Sequence, residues 1–222
     1  MYIMEAYYLS KLDIRNAMTN VYKGVHKIKQ KEVVIKFGND SLTNRLIQNE
    51  IHLYLYLKKC NFTYIPHIIN TGVHNNNRYI ITEYKNTTLN YITINIIDQL
   101  FTIIKSLHSF EIVHRDIKPE NFLIDNDKVY IIDLGLSAFH SNRIIKSLVG
   151  NWKYCSPTCL QNEYVYEYKD DIIGLIYMIL GIHNKGLPWT KHTYMHKKNM
   201  TFNYKADAIN DDMLNRLFNL IL

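Results

Sequence analysis

The chain has 222 residues and carries 26 Lys+Arg against 20 Asp+Glu, a formal charge of +6 at pH 7 with histidine neutral. That length fits one domain, or one domain of two unequal lobes, and a composition 47% hydrophobic and 21% charged excludes disorder for the bulk of the chain. No uninterrupted apolar run reaches the roughly 18 residues of a membrane span, and the opening MYIMEAYYLSKLDIR carries charge too early for a secretory leader.

Three cysteines, Cys60, Cys155 and Cys159, are too few for a disulfide framework, and the Cys155/Cys159 pair lacks two further metal ligands at suitable spacing. A reducing cell interior is the expected compartment: the cytoplasm, the host's if the source is a virus, with the nucleus as the alternative. The basic residues are scattered. Their densest run, KHTYMHKK around His192–Lys198, reads as a solvated face, so neither nucleic acid nor membrane is an expected partner.

In chain order, Val21–Gly24 and Glu32–Phe37 (EVVIKF) read as two strands joined by a polar turn at His26–Lys31. Leu46, Ile47, Ile51, Tyr54 and Leu55 recur at helical spacing between Asn44 and Lys58. A β-rich stretch follows, with Tyr79–Tyr84 as a buried strand after a turn at His74–Asn77. Past Lys85–Thr88 the pattern turns helical, with Ile96, Leu100, Ile103, Ile104 and Leu107 on one face. Phe122–Ile124 and Val129–Ile132 predict a hairpin around Asp125–Lys128. Asp171–Leu180 is apolar almost all round, as expected of a buried helix. The pattern predicts an α+β fold: a small β-rich lobe over about residues 1–84 and a larger, mainly helical lobe over about 88–222.

The chemistry concentrates in Val113–Asn121, VHRDIKPEN, and Ile131–Gly135, IIDLG. Asp116 is followed five residues later by Asn121, and Asp133 lies twelve beyond that. On those segments the sequence resembles the eukaryotic-type protein kinases, whose catalytic loop and metal-binding motif have this spacing. It is most similar to the casein kinase I and vaccinia-related kinase group, through HRDIKPENFLID, through YKDDIIGLIYMIL followed by GLPW, and through the lack of an APE triplet. The similarity runs from about Val21 to Trp189, with a weaker echo in the final helix.

The resemblance implies a bilobal kinase domain spanning 1–222 and a serine/threonine protein kinase that uses ATP and Mg²⁺. Phosphoryl transfer needs positioning and charge neutralisation more than covalent chemistry. Asp116 is then the catalytic acceptor for the substrate hydroxyl proton, and Lys118 the cation near the transferring phosphoryl group. Asn121 and Asp133 supply hard oxygen ligands for the metal. Upstream, Lys36 ends VVIK, like the lysine of the family's VAIK strand, and Glu50 lies fourteen residues later in the predicted helix. Lys36 would hold the nucleotide's phosphates, Glu50 would hold Lys36, and Val21 would cover the nucleotide. Glu83, Tyr84 and Lys85 would meet the adenine through their backbone, with Thr82 guarding the back pocket. Asp171 would brace the catalytic loop; a helix N-cap is the plainer reading. Gly150–Tyr154, GNWKY, occupies the place of the family's GTxxY. Arg143, Lys146 and Lys153 flank it, either selecting acidic or already phosphorylated protein substrates or forming a solvated loop.

The sequence departs from the family at several points. Aligning Val21 with the valine of GxGxxGxV leaves Ile14, Asn16 and Thr19 where glycines normally admit the phosphates, an arrangement expected to weaken nucleotide grip. Asn151 replaces a threonine, Leu134 follows Asp133 in place of phenylalanine, and only 33 residues follow Trp189, so an abridged C-terminal lobe is expected. The alternative function is therefore a pseudokinase, a binding scaffold with weakened nucleotide binding. A third, a small-molecule phosphotransferase of the aminoglycoside type, shares a loop Asp and a metal Asp, but typically lacks counterparts of Arg115 and Lys118.

Overall fold

The computed structural model describes residues 3–12 and 19–191. Ile14, Asn16, the KHTYMHKK run beyond its first residue and the expected final helix lie outside the described residues. The chain divides into two compact units, the first comprising residues 1–87, 123–125 and 130–136 and the second the remainder.

The first unit is built on one antiparallel sheet. Its strands are β1 (Tyr7–Lys11), β2 (Asn20–His26), β3 (Glu32–Phe37), β4 (Ile68–His74) and β5 (Asn77–Glu83), in the order β1-β2-β3-β5-β4. Helix α1 (Ser41–Lys59) follows β3 and packs on β5 and β3. Alternation along β3 sends Val33 and Ile35, 2% and 0% exposed, to one face, where they pack with Tyr7, Tyr79 and Ile81. Val34 and Lys36 therefore point to the other. On that face Lys36 lies between Val21 of β2 and Ile80 of β5, and Val34 lies opposite Thr82.

Strand β1 has no counterpart among the sequence expectations. Four of its five residues are exposed, so it carries no hydrophobic alternation to read. The β4–β5 turn is a two-residue loop, Asn75–Asn76, with both φ angles positive (47° and 63°), the backbone that suits a tight hairpin and that asparagine tolerates.

Helix α1 begins three residues before the periodic pattern suggests, because Asp40 caps it. The Asp40 carboxylate accepts the Thr43 amide at 2.8 Å, and the Thr43 hydroxyl lies 3.0 Å from the Asp40 amide. The same end is tied to the sheet: Asn44 Oδ1 accepts the Arg78 amide at 2.6 Å, and the Gly38 amide donates to the Arg78 carbonyl at 3.0 Å. A Cβ on Gly38 would lie 2.8 Å from the Asn44 Cα, so only glycine lets the chain pass there.

After β6 (Thr87–Thr88), the second unit takes up α2 (Ile94–Ser109) and the short β7 (Ile112–Val113). The hairpin of β8 (Phe122–Asp125) and β9 (Lys128–Ile131) turns through Asn126 and Asp127, again both at positive φ. The short strands β10 (Ala138–Phe139), β11 (Ile144–Ile145) and β12 (Tyr164–Val165) lead into α3 (Tyr168–His183). Strand β10 pairs with β7, and β11 with β12. Helix α2 buries Ile96, Leu100, Ile103, Ile104 and Leu107, the stripe its sequence shows. Helix α3 is buried over seven consecutive residues, Gly174–Leu180, so no solvent face exists to impose a polar stripe. Its Ile176, Tyr177 and Leu180 pack with Leu187 and Trp189, whose indole N–H donates to the Lys153 carbonyl at 2.7 Å. Among the described residues no helix is long and apolar enough to cross a membrane, and Cys60, Cys155 and Cys159 are free thiols.

Two substitutions separate capping from core packing. Asp40→Ala should cost about 1 kcal/mol in urea unfolding, whereas Trp189→Ala should cost about 3–5 kcal/mol. Equal losses would contradict this division.

Candidate active site

In the first unit the structure brings together Lys36, Glu50 and Asp133. The Lys36 Nζ lies 2.8 Å from Glu50 Oε1 and 3.4 Å from Asp133 Oδ1. Glu50 is on the buried face of α1 and is 2% exposed. Burial alone would push the Lys36 ammonium down, but the Asp133 and Glu50 carboxylates outweigh it, and its pKa is raised. Burial also raises Glu50, and the Asp133 charge adds to this; Lys36 and the Leu134 amide hold it back.

Asp133 stands at φ 63°, a left-handed conformation uncommon outside glycine. A residue absent from the sequence reading helps to hold that turn. Asn49 Nδ2, beside Glu50 on α1, reaches the Leu134 carbonyl at 3.2 Å and the Gly135 carbonyl at 3.0 Å. Nothing in the sequence marks Asn49 except its place next to Glu50. A small pocket of about 30 Å³, enough for a water or two, adjoins Lys36, Glu50, Tyr54 and Thr82.

Val21, 5% exposed, faces the same side as its cross-strand partner Lys36. At the end of β5 the Glu83 amide donates to the His67 carbonyl at 2.9 Å, and the Tyr84 amide to the Glu32 carbonyl at 3.4 Å. These two amides are thus engaged within the chain. The Lys23 ammonium sits 4.1 Å from the centre of the Tyr84 ring and pairs with Glu32 at 2.5 Å. Lys85, 8% exposed, is fixed by Glu83 and Asp125, each 3.0 Å away, and by the Tyr130 ring at 4.6 Å. The family resemblance gave Lys85 a backbone role and no hint of this buried side chain.

The second unit holds Asp116, Lys118 and Asn121 together. Asp116 and Asn121 are 5% and 3% exposed. Asn121 Nδ2 donates to the Asp116 carbonyl at 2.7 Å and to its carboxylate at 3.0 Å. With the nitrogen turned into the loop, the amide oxygen is the atom Asn121 offers to a cation. Lys118 Nζ contacts Asp116 Oδ2 at 2.5 Å.

The loop is braced from below by Asp171, which is fully buried. Its carboxylate accepts the His114 amide at 2.7 Å, the Arg115 amide at 3.0 Å and the Tyr166 hydroxyl at 2.7 Å, and it faces His108 Nε2 at 3.1 Å. Burial raises the Asp171 pKa, but His108, His114 and the loop amides overcome it, and the carboxyl titrates below its usual range. Asp171 therefore acts through its carboxylate on the loop; its neighbour Asp170 does the capping, accepting the Glu167 amide at 2.7 Å. Arg115 is held at φ 70° by this arrangement. A Cβ on Gly150, at φ 85°, would lie 1.9 Å from the Arg115 carbonyl oxygen, so the glycine that opens GNWKY is required by contact with the loop. Asn151 Oδ1 accepts the Lys153 amide at 2.9 Å within its own turn. Lys146, one of the three flanking cations, lies 3.7 Å from Glu163.

The profile of the family described as "Protein kinase domain" matches residues 16–217. Over 231 aligned positions the chain is 28% identical to a putative serine/threonine-protein kinase of Acanthamoeba polyphaga mimivirus, covering 94% of this chain and 83% of that one. It is 27% identical over 207 residues to a probable serine/threonine-protein kinase PLK of Dictyostelium discoideum, covering 90% of this chain and 19% of that protein. It is 32% identical over 161 residues to the serine/threonine-protein kinase PrkC of Bacillus subtilis, covering 63% of this chain and 24% of PrkC. The match thus spans less than a quarter of the length of the last two relatives.

Because its folded pKa is depressed, the Asp171 carboxylate contributes its stability in full above its ordinary value of 3.8 and loses it as pH falls through the lower folded value. Asp171→Asn should cost about 3 kcal/mol at pH 7, since its amide nitrogen cannot accept the loop N–H groups. Urea unfolding at several pH values should show that deficit constant from pH 7 to pH 5 and shrinking below about pH 4. A deficit independent of pH would contradict the assignment.

Proposed function

We infer that this chain, which belongs to the protein kinase domain family, is an active serine/threonine protein kinase that transfers the γ-phosphoryl group of ATP, with Mg²⁺, to protein hydroxyls. The observation that carries the reading is the buried Lys36 ammonium paired at once with Glu50 and Asp133, at 2.8 and 3.4 Å. A lysine so placed stays charged and fixed for polyphosphate oxygens.

The donor set suits the metal. Mg²⁺ takes hard oxygen ligands, and the half-exposed Asp133 carboxylate and the Asn121 amide oxygen are of that kind. When bound, the ion neutralises charge on the phosphates. The remaining work falls to side chains. Asp116, held by Asn121 and Lys118, orients the substrate hydroxyl and accepts its proton. Lys118 offers positive charge to the transferring group. With the Glu83 amide already bonded to His67, adenine recognition in this reading falls to the Lys85 backbone and to carbonyl groups.

Within the family we assign the chain to the casein kinase I and vaccinia-related kinase group, on HRDIKPENFLID and the GLPW following α3. Acidic or already phosphorylated substrates are the proposed class, with Arg143 and Lys153 as the cations that favour them, and the cell interior is the proposed compartment. A sequence feature that favours the pseudokinase reading is the glycine-free run through Ile14, Asn16 and Thr19.

Radiolabelled transfer from ATP to casein or to the chain itself separates the two. The wild type should label with Mg²⁺ and lose activity on its removal by chelation, and Asp116→Asn should lower the rate by a factor of about 10² or more. No labelling by the wild type, or equal labelling by the variant, would favour the scaffold.

A further inference from the structure

The sheet of the first unit has a second functional face. On the side opposite Lys36, a cleft of about 840 Å³ opens beside the β2–β3 turn and the start of β4. This is the size of a ligand-binding cleft rather than a packing defect. Its floor is apolar: Tyr7 and Val33 are 8% and 2% exposed, and Ile69, on the edge strand β4, is 47% exposed.

The rim is charged: Lys29 and Lys31 share it with Glu32 and Glu83, and the carboxylates are the charges engaged elsewhere. Two carboxylates reach the cleft, Glu32 and Glu83, and each already has a lysine partner: Lys23 at 2.5 Å and Lys85 at 3.0 Å. Lys29 and Lys31, both exposed, carry positive charge on the same rim without a carboxylate partner among the described residues. His26 adds a directed donor. Its Nδ1 accepts the Ile28 and Lys29 amides, both at 3.2 Å, which places the proton of the neutral ring on Nε2. His67 lies on the opposite wall.

An apolar floor under a rim whose two lysines have no ion-pair partner among the described residues fits an acidic peptide with an apolar anchor. It fits a free phosphate poorly, because the cleft has no helix N-terminus and no glycine-rich turn to surround an anion with amides. Strand β4 adds an unpaired edge to the wall, and Val73, farther along it, is 59% exposed.

We propose that this cleft is a docking site for an acidic segment of a partner protein, its apolar anchor seated on Tyr7, Val33 and Ile69 and its carboxylates facing Lys29 and Lys31. The site lies on the face of the sheet that Lys36 does not use, so docking does not require transfer chemistry.

Fluorescence anisotropy on the full chain tests the proposal, with labelled Gly-Asp-Glu-Phe-Glu-Asp as probe. Two control peptides replace its Phe by Gly or its acids by Lys. Saturable 1:1 binding of the probe is expected, weakening with added salt and by about tenfold or more in either control peptide. The double variant Lys29→Glu/Lys31→Glu and the single variant Ile69→Asp should each weaken binding to a similar degree. All three positions are exposed, so the thermal midpoint should stay within about 2 °C of wild type. The proposal is overturned by an absence of saturable binding, by equal binding of either control, or by insensitivity to both variants. Displacement of the probe by inorganic phosphate would make the cleft an anion site and overturn it too. Self-association in sedimentation that Ile69→Asp abolishes would assign the cleft to a second copy of the chain, with the same result. None of these readouts depends on phosphoryl transfer, so a failure here is distinct from a failure of the kinase reading.

Discussion

An ammonium withdrawn from water is tolerable only while carboxylates remain in contact with it, and Lys36 is held under that constraint. Glu50 and Asp133 reach it from different chain segments, one on a helix and one on a turn after a hairpin. Each segment is then committed. The helix must present Glu50, so α1 is capped at Asp40 and pinned to the sheet through Asn44. The turn must hold Asp133 at positive φ, and Asn49, one residue from Glu50, secures it through two carbonyls. Removing Lys36 leaves the buried Glu50 carboxylate without its counterpart, a loss that for such pairs amounts to about 3–5 kcal/mol. The ion pair thus ties local geometry to the proposed nucleotide chemistry inside a single compact unit.

A second buried charge organises the other unit in the same way. Among the described residues Asp171 makes no salt bridge to a lysine or arginine, and its carboxylate is held by hydrogen-bond donors. Two of them are the backbone amides that precede Asp116, so the carboxylate fixes the approach to the residue proposed as catalytic. Arg115 is turned into the left-handed region as a consequence, and Gly150 must then pass its carbonyl without a side chain. The apolar length of α3 serves this arrangement, since a helix buried on every side keeps Asp171 out of water.

Much of this was readable from the chain, for physical reasons that differ by residue. The proposed transfer chemistry demands particular residue types at fixed spacing, so Asp116, Asn121 and Asp133 stand out in the sequence, as does the separation of Lys36 from Glu50. Strand β3 and helix α2 were legible because each has one buried face and therefore a period. Strand β1 was not, because it is exposed over most of its length. Asn49, Lys85 and His108 were missed for another reason. Their roles come from partners distant in sequence, such as Lys85 with Asp125, 40 residues on, and nothing local distinguishes them from ordinary polar residues. The cleft at Tyr7 and Val33 is of the same kind, since its rim charges acquire meaning only once Glu32 and Glu83 are seen to be neutralised.

Calorimetric titration of MgATP into the wild type and into Lys36→Met is the most direct test of the part assigned to the buried ammonium. Saturable binding by the wild type, weakened about tenfold or more in a variant that remains folded, is the predicted result. Equal affinity in the two proteins, or no binding by the wild type, would contradict it.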